Sequence, residues 1–433
     1  MSETLLYIAG IVFIVLGIGV SIGIHEIGHL VPAKLFGVKV TRYMIGFGPT
    51  LFSKKVGETE YGVKAFPLGG YIAMLGMYPP AKKPESKKGF FNDMISQARL
   101  AHSEHETPKD ANRKFYQLPV GKRMIIMLGG PFMNLVLGVV LTSIALTGFG
   151  IYQSSLTIEQ VSICLDNKSV DCPVSEQTPA HIAGLKAGDQ VVSVAGQPAT
   201  DWSQIRDLLT ATPTAEFEVL RSGQLEKFTV TAVLQQRPQF DSLGSPILDE
   251  AGDMVYATQP FLGVFLAPER KALPLIQSLE ASANSIAQIG QLILRLPQEV
   301  IEVTAITFGG GERDPNGPIS IVGIGQVAGE VAASDQAGFV DKLATGIQIL
   351  GSLNFALFVF NMIPLLPLDG GHLAGGIYES IKRRVYKIAG KKDPGPADTA
   401  LLMPLTYFVF IALLVVSALL ITADLVNPIS LFG

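Results

Sequence analysis

Residues 25–29 of the chain read His-Glu-Ile-Gly-His. On an α-helix, residues four apart share a face, so the imidazoles of His25 and His29 can reach one Zn²⁺ at about 2.0–2.1 Å. Glu26, beside the first histidine, can take the proton from a water activated there, which is the chemistry of a zinc hydrolase acting on peptide bonds. The bland alternative is a chance match on a helix, with both histidines solvated or satisfied in a core. Position weighs against it, because three ionisable groups at the end of a long apolar stretch are costly unless they bind something. Catalytic zinc needs a third protein ligand and keeps one position open. Asp369 is the candidate, in the run NMIPLLPLDGGH at 361–372, a carboxylate closing a second apolar stretch and followed by Gly370 and Gly371. His372, three residues on, is a rival ligand or a donor that orients one. His102 and His105 stand in a Glu-rich polar stretch and read as solvated, and His181 reads as structural.

These groups need elements set in lipid. Hydrophobic residues make up 48% of the 433 and charged ones only 16%, against about a quarter charged in soluble domains. Four stretches are long enough to cross a hydrocarbon core of about 30 Å. They are residues 5–24, helix-compatible to 35, then 124–151, 343–368 and 401–423. The third carries Asn354, Asn361, Pro364 and Pro367, polar and helix-breaking groups that in lipid point to function. Residues 5–24 lack the basic start and small-residue cleavage site of a signal peptide. Lys34, Lys39 and Arg42 follow the first span, Lys114, Lys122 and Arg123 precede the second, and Lys382, Arg383, Arg384 and Lys387 lie between the last two. The positive-inside rule makes those segments cytoplasmic and places about 152–340 outside. Cys164 and Cys172 both fall in that outer part, as a disulfide or as two free thiols. A net charge of -4 without a basic stripe excludes a nucleic-acid partner.

Between the spans the chain changes character. Residues 43–77 are rich in Gly, aromatic and β-branched residues and read as short strands with turns at Gly46, Gly48, Pro49 and Gly69-Gly70. Residues 78–116 read as a polar loop. Outside, 161–234 has the pattern of a compact α/β module. It shows a short helix at 180–183, a turn at Gly188-Asp189, a strand at 190–194, a helix starting near Asp201 or Trp202, and a hairpin across Ser222-Gly223. Residues 235–257 read as a polar insertion, 272–308 as an amphipathic helix, and GGGERDPNGPISIVG as a loop leading to the third span. The division expected is 1–42, 43–77, 78–123, 124–152, 155–235, 236–342, 343–380, 381–400 and 401–433.

With those residues in hand, the chain resembles the site-2 protease family (peptidase M50), intramembrane zinc metalloproteases, in its bacterial Rip- and RseP-like branch. The likeness runs through HEIGH, GFGPTL and YGVKAFPLGGY at 46–71, GGPFMN at 129–134, and NMIPLLPLDGGH, in that order. The module at 178–198, TPAHIAGLKAGDQVVSVAGQP, resembles a PDZ domain, with Ala195 where many such modules have Asn, and one such module is found. The resemblance implies a polytopic α-helical membrane protein of about four spans, with a cytoplasmic membrane-associated β-hairpin and an extracytoplasmic α/β PDZ domain. It implies Zn²⁺ held by His25, His29 and Asp369, with Glu26 as general base. Asn361 would hold substrate backbone or polarise the scissile carbonyl, with a helix–helix hydrogen bond as its alternative. The hairpin near 64–75, with Gly69, Gly70 and Tyr71, would pair with an extended substrate as an added strand. The partners implied are the lipid bilayer and single-pass transmembrane proteins, an anti-sigma factor or remnant signal peptide for example. The location implied is the bacterial plasma membrane, with the active site towards the cytoplasm. The rival functions are a membrane scaffold with a structural zinc site and a metal transporter. An intact Glu26 argues against the first, and polar groups gathered near one side argue against the second.

Overall fold

In the computed structural model, residues 2–80, 95–97, 99, 107–165, 171–239, 247, 249, 253–311, 313–314 and 317–429 are described. The chain forms two compact units, Met1–Phe149 with Pro274–Gly433, and Gly150–Leu273. In the first unit, four helices are long and apolar enough to cross a membrane: Glu3–Leu35, Val120–Phe149, Phe339–Asn361 and Thr399–Val426. We name the regular helices here α1 (Glu3–Leu35), α2 (Val120–Ser143), α7 (Phe339–Asn361) and α9 (Met403–Val426). Helix α1 packs on α2, and α2 packs in turn on α7. The α1–α2 contact is close because Gly28 faces Gly129. A Cβ on either would overlap the other's carbonyl.

Helix α7 ends at Asn361 rather than running on to 368. Pro364 and Pro367 each disfavour the helical conformation for the residue before them. The chain crosses in a short connector and restarts as α8 (Asp369–Ile388), so Asp369 opens a helix instead of closing a span. Arg123 of α2 donates to the buried Glu379 of α8 at 2.6 Å, tying the two helices together.

A second helix was not expected. The run read as a loop, 309–323, gives way at its end to α6 (Ile321–Ala333), which packs on α1 and for which no element was expected. At 13 residues it is about 20 Å long, too short to cross a membrane. Ser320 caps it, accepting from the Val322 and Gly323 amides at 3.1 and 3.4 Å. Asp424 of α9 accepts from the Ser320 amide at 2.7 Å and from the Arg313 guanidinium at 2.5 Å. Before α6, the expected amphipathic helix is α5 (Leu275–Gly309), packed on α2, α7 and α9.

Residues 40–74 form β1 (Val40–Val56) and β2 (Thr59–Met74), paired antiparallel around a turn at Gly57, whose φ is +63°. Each strand bends, near Gly46–Gly48 and Gly69. Ile45 therefore meets both Gly70 and Val63, while Ser53 meets Gly62. The result is a small sheet of four segments with 70–74 along one edge. The bends coincide with the glycines read as turns, but the tight turn is at Gly57. The polar loop at 78–116, with His102 and His105, lies largely outside the described residues.

The second unit holds a sheet in the order β10 (Val264–Lys271), β3 (Ile151–Val161), β4 (Gln190–Val194), β6 (Thr214–Arg221), β7 (Gln224–Thr231), with β5 (Gln197–Pro198) on β4. Helices α3 (Pro179–Ala183) and α4 (Trp202–Ala211) accompany it. Ile158, Val191, Ile205, Phe217 and Val230 form its core. The β6–β7 hairpin turns at Ser222-Gly223, both at positive φ, as two-residue hairpins require. The segment read as a polar insertion contributes β8 (Val233–Pro238) and β9 (Tyr256–Phe261), a second hairpin. Because β10 pairs with β3, the unit extends to Leu273. Cys164 and Cys172 are joined as a disulfide. His181 lies exposed in α3, its amide donating to the Thr178 hydroxyl at 3.3 Å.

Candidate active site

His25 and His29 lie one turn apart on α1, and both turn Nε2 to the same point. The two nitrogens are 3.2 Å apart, and each is 3.3 Å from Asp369 Oδ2. Among the described residues these three form the one cluster of His, Cys, Asp and Glu with metal-ligand spacing. A tetrahedral zinc with ligands at about 2.0 Å has them about 3.3 Å from one another. The triangle therefore has the size that zinc requires. Asp369 Oδ2 is buried yet has no hydrogen bond, which leaves a carboxylate oxygen in need of a cation. The donor set, two imidazoles and a carboxylate, is one that catalytic zinc uses.

Helix α2 backs this triangle. A Cβ on Gly130 would overlap His29 Nε2 and lie 2.7 Å from His25 Nε2, so the bare backbone there makes room for both rings. His29 Nδ1 lies 2.7 Å from the Ile126 carbonyl, and the Asn134 amide lies 3.1 Å from His25 Nδ1. The GGPFMN run signalled α2 as part of the family pattern, but its sequence does not tell which residues meet the histidines.

A cavity of about 260 Å³ opens on the triangle, lined among others by Glu26, Gly70, Tyr71, Asn361 and His372. Glu26 is 6% exposed and lies beside the histidines. Gly70 passes so close that a Cβ there would sit 2.9 Å from Glu26 Cγ. The sheet edge formed by 70–74 thus faces the cavity. Tyr71 stacks on Phe47, with ring centres 6.3 Å apart, and Gly69 sits at the bend with φ +139° rather than on the cavity wall. Asn361 donates one amide hydrogen to its own helix, at the Leu357 carbonyl 3.0 Å away, leaving a second. His372 lines the cavity but is not one of the three clustered groups.

The model of Peptidase family M50 matches residues 13–394. The chain is 31% identical to the zinc metalloprotease Rip1 of Mycobacterium tuberculosis, over 99% of this chain and 100% of that one. It is 32% identical to the zinc metalloprotease Rip1 of Mycolicibacterium smegmatis, over 98% of each. It is 27% identical to the metalloprotease MmpA of Caulobacter vibrioides, over 90% of this chain and 92% of the relative.

Proposed function

Since the chain belongs to Peptidase family M50 and is a multi-pass zinc metalloprotease of the site-2 type, we propose that it cuts single-pass membrane proteins at bonds within or near their spans. The observation that carries the reading is the triangle of His25, His29 and Asp369, set between apolar helices and beside an open strand edge. In this reading the three side chains hold the zinc. Bound there, zinc supplies Lewis acidity, polarising a carbonyl and making water a stronger acid.

The chain's own groups do the rest. A helical peptide bond is hidden from attack, so the substrate must first be extended. The 70–74 edge offers backbone donors and acceptors to an added strand, with Tyr71 beside it. Glu26 accepts the proton of the attacking water at its carboxylate and returns it to the amide nitrogen that leaves. The free amide hydrogen of Asn361 donates to substrate backbone or to the scissile carbonyl oxygen. The buried surroundings strengthen each of these contacts.

Orientation follows from charge. The basic flanks of α1, α2 and α8 belong to the cytoplasmic side, and the unit with the disulfide to the oxidising side, across a bacterial plasma membrane. A groove of about 190 Å³ in that unit is lined by Trp202, Ile205 and Leu209 of α4 and by Leu262–Val264. It adjoins β10, an edge strand of the sheet. Both features support a PDZ-type role, reading a peptide end exposed by an earlier cut outside, as on an anti-sigma factor.

Glu26→Gln is the test. The variant is expected to fold, to keep its zinc, and to lose cleavage of a model single-pass substrate. Cleavage at the normal rate would overturn the mechanism.

A further inference from the structure

Ile126, Gly130 and Asn134 are spaced by four along α2 and form one stripe against α1. Each meets the histidine pair. Gly130 lies against both Nε2 atoms, Ile126 offers its carbonyl to His29 Nδ1, and the fully buried Asn134 reaches His25 Nδ1. The remaining neighbour in the turn, Pro131, supplies no N–H to the Met127 carbonyl and so loosens this part of the helix.

An imidazole that gives a metal the Nε2 lone pair carries its proton on Nδ1, and that proton needs an acceptor. For His29 the acceptor is the Ile126 carbonyl at 2.7 Å. For His25, the group 3.1 Å from Nδ1 is the Asn134 carboxamide. Its two ends exchange by a half-turn that the hydrogen-bond pattern must decide. With the oxygen towards His25, Oδ1 gains a donor, whereas with the nitrogen there Oδ1 is buried without a partner.

The use of a side chain here has a geometric reason. The two backbones come into contact where Gly28 meets Gly129. His29 adjoins that crossing and reaches a backbone carbonyl. His25 is about 6 Å further along α1, where crossing helices diverge and a side chain has to span the gap.

We propose that Asn134 is a positioning residue for the zinc site: its carboxamide oxygen accepts the Nδ1 proton of His25 and so fixes the tautomer that turns Nε2 to the metal. The inference rests on His25, His29 and Asp369 being the zinc ligands, and deepens that reading.

The test uses the full-length protein in detergent micelles. Zinc affinity is measured by chelator competition for wild type, Asn134→Leu, which keeps the volume but removes the acceptor, and Asn134→Asp, which keeps an acceptor. The optical spectrum of each cobalt-loaded protein is recorded alongside. Asn134→Leu is expected to bind zinc about 10–100-fold more weakly and to shift the cobalt bands. Asn134→Asp is expected to stay within about threefold of wild type, below the roughly 10-fold at which loss of an outer partner begins. If Asn134→Leu does not fold, Asn134→Ala replaces it in the same comparison. Wild-type affinity and cobalt bands in Asn134→Leu would overturn the proposal, and so would an Asn134→Asp as weak as Asn134→Leu. His25→Ala keeps the two readings apart, because unchanged zinc affinity there refutes the ligand set itself.

Discussion

Adding one methyl group to Gly130 is expected to disable the zinc site without replacing any of the three proposed ligands. A Cβ on Gly130 lies 2.7 Å from His25 Nε2 and closer still to His29 Nε2, while ordinary contact begins near 3.4 Å. His25 Nε2 must therefore retreat by roughly 0.7 Å and His29 Nε2 by more, against a tolerance of about 0.2 Å in metal–ligand distance. The rings have little freedom to adapt. His29 is held by the Ile126 carbonyl, and His25 and His29 belong to a helix whose backbone already touches α2 at Gly28 and Gly129. Moving α2 away instead would open the α1–α2 contact, at an overpacking cost of about 1–3 kcal/mol. Displacing two ligands should exceed the upper end of what losing an outer partner costs, about 100-fold in affinity or about 2.7 kcal/mol. The assay is zinc content and chelator competition on purified Gly130→Ala, with thermal unfolding and substrate cleavage measured in parallel. Wild-type zinc affinity in a folded Gly130→Ala would refute the geometric reasoning.

Three further outcomes are expected. Asp424→Ala strips Arg313 of its buried carboxylate and removes an acceptor from the Ser320 and Gly323 amides at the start of α6, and losing one partner of such a pair costs about 3–5 kcal/mol; a fall in unfolding free energy well under 1 kcal/mol in micelles would count against it. In the second unit, hydrogen bonds from Ser203 and the Gln204 amide hold the Asp201 pKa down to about 2. Because the folded value lies below the ordinary 3.8, its stabilisation is complete above that pH and is lost as pH falls through about 2. Hydrogen-exchange protection of α4 should fall over that window, and Asp201→Ala should lose about 1 kcal/mol of protection together with the pH dependence. For orientation, an impermeant maleimide should label Cys164 or Cys172 from outside intact cells after reduction, the half-buried Cys172 before the buried Cys164. Labelling only after permeabilisation would reverse the proposed sidedness.

Several features were legible before any coordinates because they obey local rules. The spacing of His25 and His29 places two imidazoles on one helical face whatever surrounds it. The four apolar stretches follow from helix rise against membrane thickness, and Asp201 announces the start of α4 by its capping chemistry. Other features depend on how distant segments meet. Asp369 and His372 are three residues apart in sequence, and only the connector after α7 and the start of α8 bring Oδ2 of the one to the histidines. Helix α6 lies mostly beyond the loop read at 309–323, and its start is held by Ser320 together with Asp424, more than 100 residues later. The strands of 40–74 needed their cross-pairing to define the sheet edge beside Glu26. Asn134 is 109 residues from His25, and its contact exists because two glycines let α1 and α2 cross closely. Sequence spacing determines which groups share a face. Which faces then meet, and at what distance, is decided by helix crossing and strand pairing in the folded chain.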